Sequence, residues 1–113
     1  MATPTGVSAQ VPGECGGWTA HIDADHPGGS VLEVAGTCVF PTAGFSVELR
    51  RAQPQGINPR ILLLERVVHA PSGPAATVLT EVPAGYSERA EPGRFDAVSI
   101  QPDGPQIPVA DLR

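Results

Sequence analysis

Residues 95–109 read FDAVSIQPDGPQIPV. Two β-leaning runs flank Gln101, Pro102, Asp103 and Gly104, and each turn residue has its own task. Proline pre-sets φ near about −65°, aspartate hydrogen-bonds its own backbone, and glycine accepts positive φ. This is a β-hairpin signature, and the rest of the chain repeats its idiom. Short apolar runs alternate with Gly/Pro turns, so long helices have little room to form.

Glycine and proline number 13 each among 113 residues. That is rich for a globular chain, yet short of the roughly 25–30% at which low-complexity disorder becomes the rule. The prolines are spread rather than clustered, which fits frequent turns better than a linker. The length suits one domain. Aromatics are few (Trp18, Phe40, Phe45, Tyr86 and Phe95), so the core must draw mainly on Val, Leu, Ile and Ala. Residues 1–14 are small and polar and read as a flexible arm. Residues 15–113 then form the domain.

Seven strands are expected. Residues 17–23 (GWTAHID) alternate, with Trp18, Ala20 and Ile22 on one face. Residues 30–40 (SVLEVAGTCVF) form a long strand in which Gly36 marks a bulge or bend. Residues 45–51 (FSVELRR) put Phe45, Val47 and Leu49 inward. Residues 61–69 (ILLLERVVH) are nearly continuous and apolar. Asn58-Pro59 before them resembles a helix start, but Ile61, Val67 and Val68 favour a strand. Residues 76–82, 95–100 and 106–112 complete the set. Short turns at 41–44, 71–74 and 102–104 read as hairpin connections, with longer loops at 52–60 and 83–94. The expected fold is all-β, a single-domain antiparallel β-sandwich of immunoglobulin-like architecture. The immunoglobulin signature itself is missing. Trp18 follows Cys15 too closely, and Cys15 and Cys38 are too near in sequence to bridge two sheets in that manner.

Composition excludes several functions. All seven basic residues are arginine. Without lysine there is no Schiff base, no pyridoxal phosphate anchor and no P-loop lysine. Such usage reads as a GC-rich bacterial coding bias. The net charge of −5 repels phosphate backbones and anionic lipid, so neither nucleic acid nor a membrane is an expected partner. The N-terminus lacks a basic segment and an apolar segment, so no signal peptide is expected. The expected location is the cytoplasm, with a mature secreted form as the alternative. In that setting Cys15 and Cys38 read as free thiols, with a disulfide as the second possibility.

The densest polar cluster is His21, Asp23, Asp25 and His26. On a strand, His21, Asp23 and Asp25 share a face, and His69 or a thiolate could join them around a divalent metal such as zinc. No fixed-spacing metal motif supports this, and the bland reading is a solvated strand entering a turn. Ser72 lies in a turn rather than a nucleophile elbow. The glycines near residue 16 precede a strand, not a helix.

The leading expectation is therefore a non-catalytic binding module that presents loops on a rigid sandwich. Its candidate residues are Pro41, Thr42, Gly44, Arg50, Arg51, Asn58 and Arg60. The expected partner is a protein, or another copy of the chain through an edge strand. A small metal-binding protein or metalloenzyme and a loop-inserting protease inhibitor are the alternatives.

Overall fold

Alternation of apolar and polar side chains gives each long run one face to bury, and two such faces close on each other. The computed structural model describes residues 14–101 and 104–112. Among the described residues the chain is all-β and forms two four-stranded sheets. The strands are β1 (Glu14–Asp23), β2 (Val31–Phe40), β3 (Ser46–Arg51), β4 (Ile61–His69), β5 (Thr80–Arg89), β6 (Ala97–Gln101), β7 (Gln106–Pro108) and β8 (Ala110–Leu112). The first sheet has the order β5-β2-β1-β8 and the second β3-β4-β6-β7.

The sheets are mixed rather than purely antiparallel. β8 runs parallel to β1, and β6 runs parallel to β4. The final run expected over 106–112 is one segment interrupted at Val109. Its first half pairs with β6 in the second sheet and its second half with β1 in the first. The chain thereby closes one flank of the sandwich.

Buried side chains from both inner faces meet between the sheets. Ile22, Leu32, Val34, Cys38 and Phe40 come from the first sheet, and Leu49, Leu62, Leu64, Val98 and Ile100 from the second. Phe40 and Phe45 stack with centroids 4.3 Å apart, capping one end of this aliphatic core. The aliphatic composition expected from the scarcity of aromatics is what fills it.

Cys15 and Cys38 are not free thiols. They stand opposite one another in the β1–β2 register and form a disulfide. Ala90 N–H donates to Ser30 O, so even-numbered residues of β2 point their backbone groups toward β5. Cys38 therefore has none directed at β1, and the cysteines occupy a non-hydrogen-bonded pair, where facing side chains lie closest. Chain separation alone could not reveal that the two strands are neighbours.

The β1–β2 register shifts between Gly16 and Thr19. Gly17, at φ 65°, supplies the left-handed residue of a bulge, so Gly17 and Trp18 together oppose Gly36. The expected irregularity at Gly36 thus belongs to the partner strand. Gly36 is glycine because the Trp18 ring lies where a Cβ would be.

Other expectations shift. The run at 76–82 is mostly outside the strand; β5 begins at Thr80 and continues through Pro83 and Gly85 to Arg89. An edge strand tolerates proline where its nitrogen faces away from the neighbour. The connections at 41–44 and 71–74 are not hairpins, because each carries the chain from one sheet to the other. Turn residues report where a chain reverses, not which sheet it enters next. Asn58-Pro59 starts no helix: Asn58 Oδ1 accepts from Arg60 N–H and Asn58 O from Ile61 N–H, which makes a turn before a strand. The 95–109 hairpin forms as β6 and β7, with Pro102 and Asp103 outside the described residues. The expected arm lies outside the described residues up to position 13, while Glu14 already opens β1.

Adding one methyl group at position 36 forces the Trp18 ring aside. Gly36→Ala is expected to destabilise the fold by about 1–3 kcal/mol in urea unfolding. Gly16→Ala, where a Cβ meets open space, leaves the midpoint nearly unchanged.

Candidate functional site

The expected metal ligands do not converge. His21 on the outer face of β1 donates from Nε2 to Glu33 Oε1 at 3.0 Å, a cross-strand partner on β2. Asp23 Oδ1 accepts the Asp25 backbone N–H at 3.0 Å, and His26 Nδ1 donates to Pro27 O at 2.7 Å. Both are turn-forming contacts. His69 lies in the other sheet and donates to Glu48 Oε1 at 3.1 Å. Among the described residues no three metal-ligating side chains gather, and the disulfide removes both thiolates from any such set. Period-two spacing correctly placed His21 and Asp23 on one face, but Asp25 falls beyond the end of β1.

The arginines expected to bind a partner are engaged within the domain. Arg50 and Arg51 are neighbours on β3 and so face opposite sides. Arg50 reaches Glu65 across the β3–β4 ladder at 3.1 Å. Arg51 turns inward and spans the sheets to grip Glu88 of β5 with two hydrogen bonds, at 2.8 and 2.9 Å. Tyr86 O–H donates to the same carboxylate at 2.6 Å. This two-pronged geometry is the strong form of a guanidinium–carboxylate contact. Burial pushes the Glu88 carboxyl up, but the hydrogen bonds from Arg51 and Tyr86 outweigh it and hold Glu88 below its ordinary value. Burial, aided by the hydrogen bond to Glu88, raises the Tyr86 phenol to about 12. The group acts as a clamp on the flank opposite the β7–β8 crossing.

The remaining candidates lie at opposite ends of the sandwich. Pro41, Thr42 and Gly44 belong to a connection held against the loop at 71–76, where Ala43 N–H donates to Ala76 O at 3.0 Å. Gly44, at φ 94°, passes so near Pro71 that a Cβ would come within 2.7 Å of it. Asn58 and Arg60 sit at the other end. Arg60 donates two hydrogen bonds to Asp96, at 2.8 and 2.7 Å, and one to Gly93 O at 2.8 Å. Arg94 donates to Pro59 O at 2.7 Å, its guanidinium 4.4 Å from the Phe95 ring centroid. The loops at 52–60 and 90–96 are thus stitched together.

Gln55 braces the first half of the same loop. β3 ends at Arg51, opposite Leu64, and one further backbone bond follows, from Ala52 N–H to Leu63 O at 3.0 Å. The Gln55 side-chain amide reinforces this last rung. It accepts from Leu63 N–H at 2.9 Å and donates to Leu63 O and to Ala52 O, each at 2.8 Å. One side chain thus ties the start of the loop to the end of the ladder. Between Gln55 and the Asn58 turn stands Ile57, at 103% relative exposure.

Glu88 and Tyr86 were not among the expected site residues, and Gln55 and Ile57 lie in the 53–60 loop expected to bind a partner but were not singled out there. Ile57 had a visible signal, a lone large aliphatic residue in the polar run AQPQGINPR. The Arg51 clamp had none, since its partner lies on another sheet. An open depression of about 510 Å³ on the outer face of the first sheet is lined by His21, Glu33, Ala35, Gly85 and Ser87, among others. It is shallow, with no enclosing wall to exclude water from a reaction. Comparison of the chain with protein-family models, with curated proteins and with solved structures returns no match.

The clamp makes stability pH-dependent at both extremes. A carboxyl with a depressed folded value stabilises above its unfolded value, and that part is lost as pH falls through the folded value. A phenol with a raised value stabilises below its ordinary 10.0, and that part is lost as pH rises toward about 12. Tyr86 is the only tyrosine, so ultraviolet absorbance follows it alone. Its titration in the folded protein is expected near 12, with a midpoint near 10 contradicting the clamp.

Proposed function

We propose that this domain is a non-catalytic protein-binding module whose recognition element is the loop at 52–60. One observation carries the reading: Ile57 stands fully exposed (103%) on a loop fastened on both sides. A large aliphatic side chain held in water has no use in folding, yet it contributes about 1.5–3 kcal/mol when buried in a partner's pocket. Fastening the loop beforehand lowers the ordering cost that binding must overcome. The two-sheet frame supports the loop from strand ends, as immunoglobulin-like domains do. The expected occupant is an apolar pocket on another protein.

A loop-inserting protease inhibitor is the same reading with the pocket specified, Ile57 entering an aliphatic specificity site. Metal chemistry through His21, Asp23, Asp25, His26 and His69 has less support, because these side chains are spent on separate local contacts. No helix among the described residues is long and apolar enough to cross a membrane. The Cys15–Cys38 disulfide supports work in an oxidising compartment, rather than in the cytoplasm expected from the N-terminal residues.

The test places a photo-crosslinking amino acid at position 57 of the full chain in the cells that make it. A discrete covalent adduct with one protein is expected at 57 and not at the exposed control position 72. Equal labelling at both positions, or no adduct at 57, would overturn the reading.

A further inference from the structure

The outer edge of β5 is long, exposed and built from a self-complementary sequence. β5 spans 10 residues and is the terminal strand of the first sheet. Ala90 N–H donates to Ser30 O. In an antiparallel ladder the N–H and C=O of one residue share a direction, which alternates along the strand. Even-numbered positions of β5 therefore face β2. Glu81, Pro83, Gly85, Ser87 and Arg89 turn their backbone groups to the free edge, and all five are exposed or half-buried at most. Pro83 agrees with this, since it has no N–H to give to β2.

We infer that this edge pairs with the β5 edge of a second copy of the chain, antiparallel, about a two-fold axis at Gly85. Glu81 and Arg89 stand at equal distances on either side of Gly85. In the Gly85-centred register each Glu81 lies opposite the partner copy's Arg89, and each Arg89 opposite its Glu81. Shifting the pairing by one two-residue step breaks both ion pairs, so charge selects one register. Neither charge has an opposite charge across its own ladder, where Glu81 faces Val39 and Arg89 faces Val31. Gly85 keeps the axis free of side chains. Pro83 withholds one donor per copy, which weakens the edge as a template for unrelated strands. Two-fold pairing occupies both β5 edges, so the assembly closes as a dimer rather than growing. This contact is separate from the Ile57 loop and would set two such loops on one particle.

Sedimentation of the full-length protein across a concentration series tests the pairing. The wild type is expected to show a reversible monomer–dimer equilibrium. Glu81→Arg and Arg89→Glu should each weaken dimerisation on the order of tenfold, and the double swap should restore it. The Arg89 guanidinium also contacts Gly28 O, so the restored double variant separates charge pairing from local damage. Gly85→Cys tests the register, because an added Cβ there meets only Val34 O at 3.7 Å. With a short bifunctional thiol reagent, which spans the wider side-chain gap of a hydrogen-bonded pair, it should give a dimer linked 85 to 85. A wild type that stays monomeric, single swaps that leave the equilibrium unmoved, or a Gly85→Cys variant that does not cross-link would each overturn the inference.

Discussion

The covalent pairing of Cys15 with Cys38, next to the bulge at Gly17 and Trp18, sets which side of β1 is inside. A strand alternates faces every residue, so Cys15 and Ile22, of opposite parity, could not both point inward along a regular strand. The bulge inserts one residue between them and reverses the phase. Cys15 then joins buried Cys38, while Ala20 and Ile22 still enter the core. Trp18 fills the space above Gly36. A slip of one residue would expose Ala20 and Ile22 and bury Thr19 and His21. The disulfide forbids that slip on one side of the bulge, and apolar burial forbids it on the other.

From this frame the rest follows by connection. The chain passes between sheets at 41–45, at 70–79, at 90–96 and at Val109. The first two crossings brace each other through Ala43 and Ala76, and the last closes a flank. The Arg51–Glu88–Tyr86 clamp holds the other flank, where β3 and β5 have no crossing chain between them. With both flanks fixed, the ends of β3 and β4 become a firm base for the loop at 52–60. Gln55 and Arg60 then transmit that firmness to the turn beside Ile57.

Local signals in the sequence mapped onto local structure. Alternation in FSVELRR gave β3 with its inward side chains, and the β-branched content of ILLLERVVH outweighed the Asn-Pro helix signal. Partnership between distant segments left no comparable mark. The parallel pairings of β8 with β1 and of β6 with β4 depend on how the sheets stack. So do the destination of Arg51 and the adjacency of the two cysteines. Pro83 and Gly85 disguised β5 as a loop, because an edge strand obeys looser rules than a central one. At the candidate site, Asn58 and Arg60 were expected as partner-binding residues. In the structure they make contacts that hold the loop, and the exposed side chain between its supports is Ile57.

The disulfide is also the feature that the register of β1 depends on most, and it can be measured directly. Protein unfolded in denaturant without reductant should show no free thiol, and two after reduction, since the chain has 2 cysteines. Reduction should lower the unfolding free energy by roughly 3 kcal/mol, as expected for a closed loop of this length. Two reactive thiols before reduction, or a stability indifferent to reductant, would contradict the account.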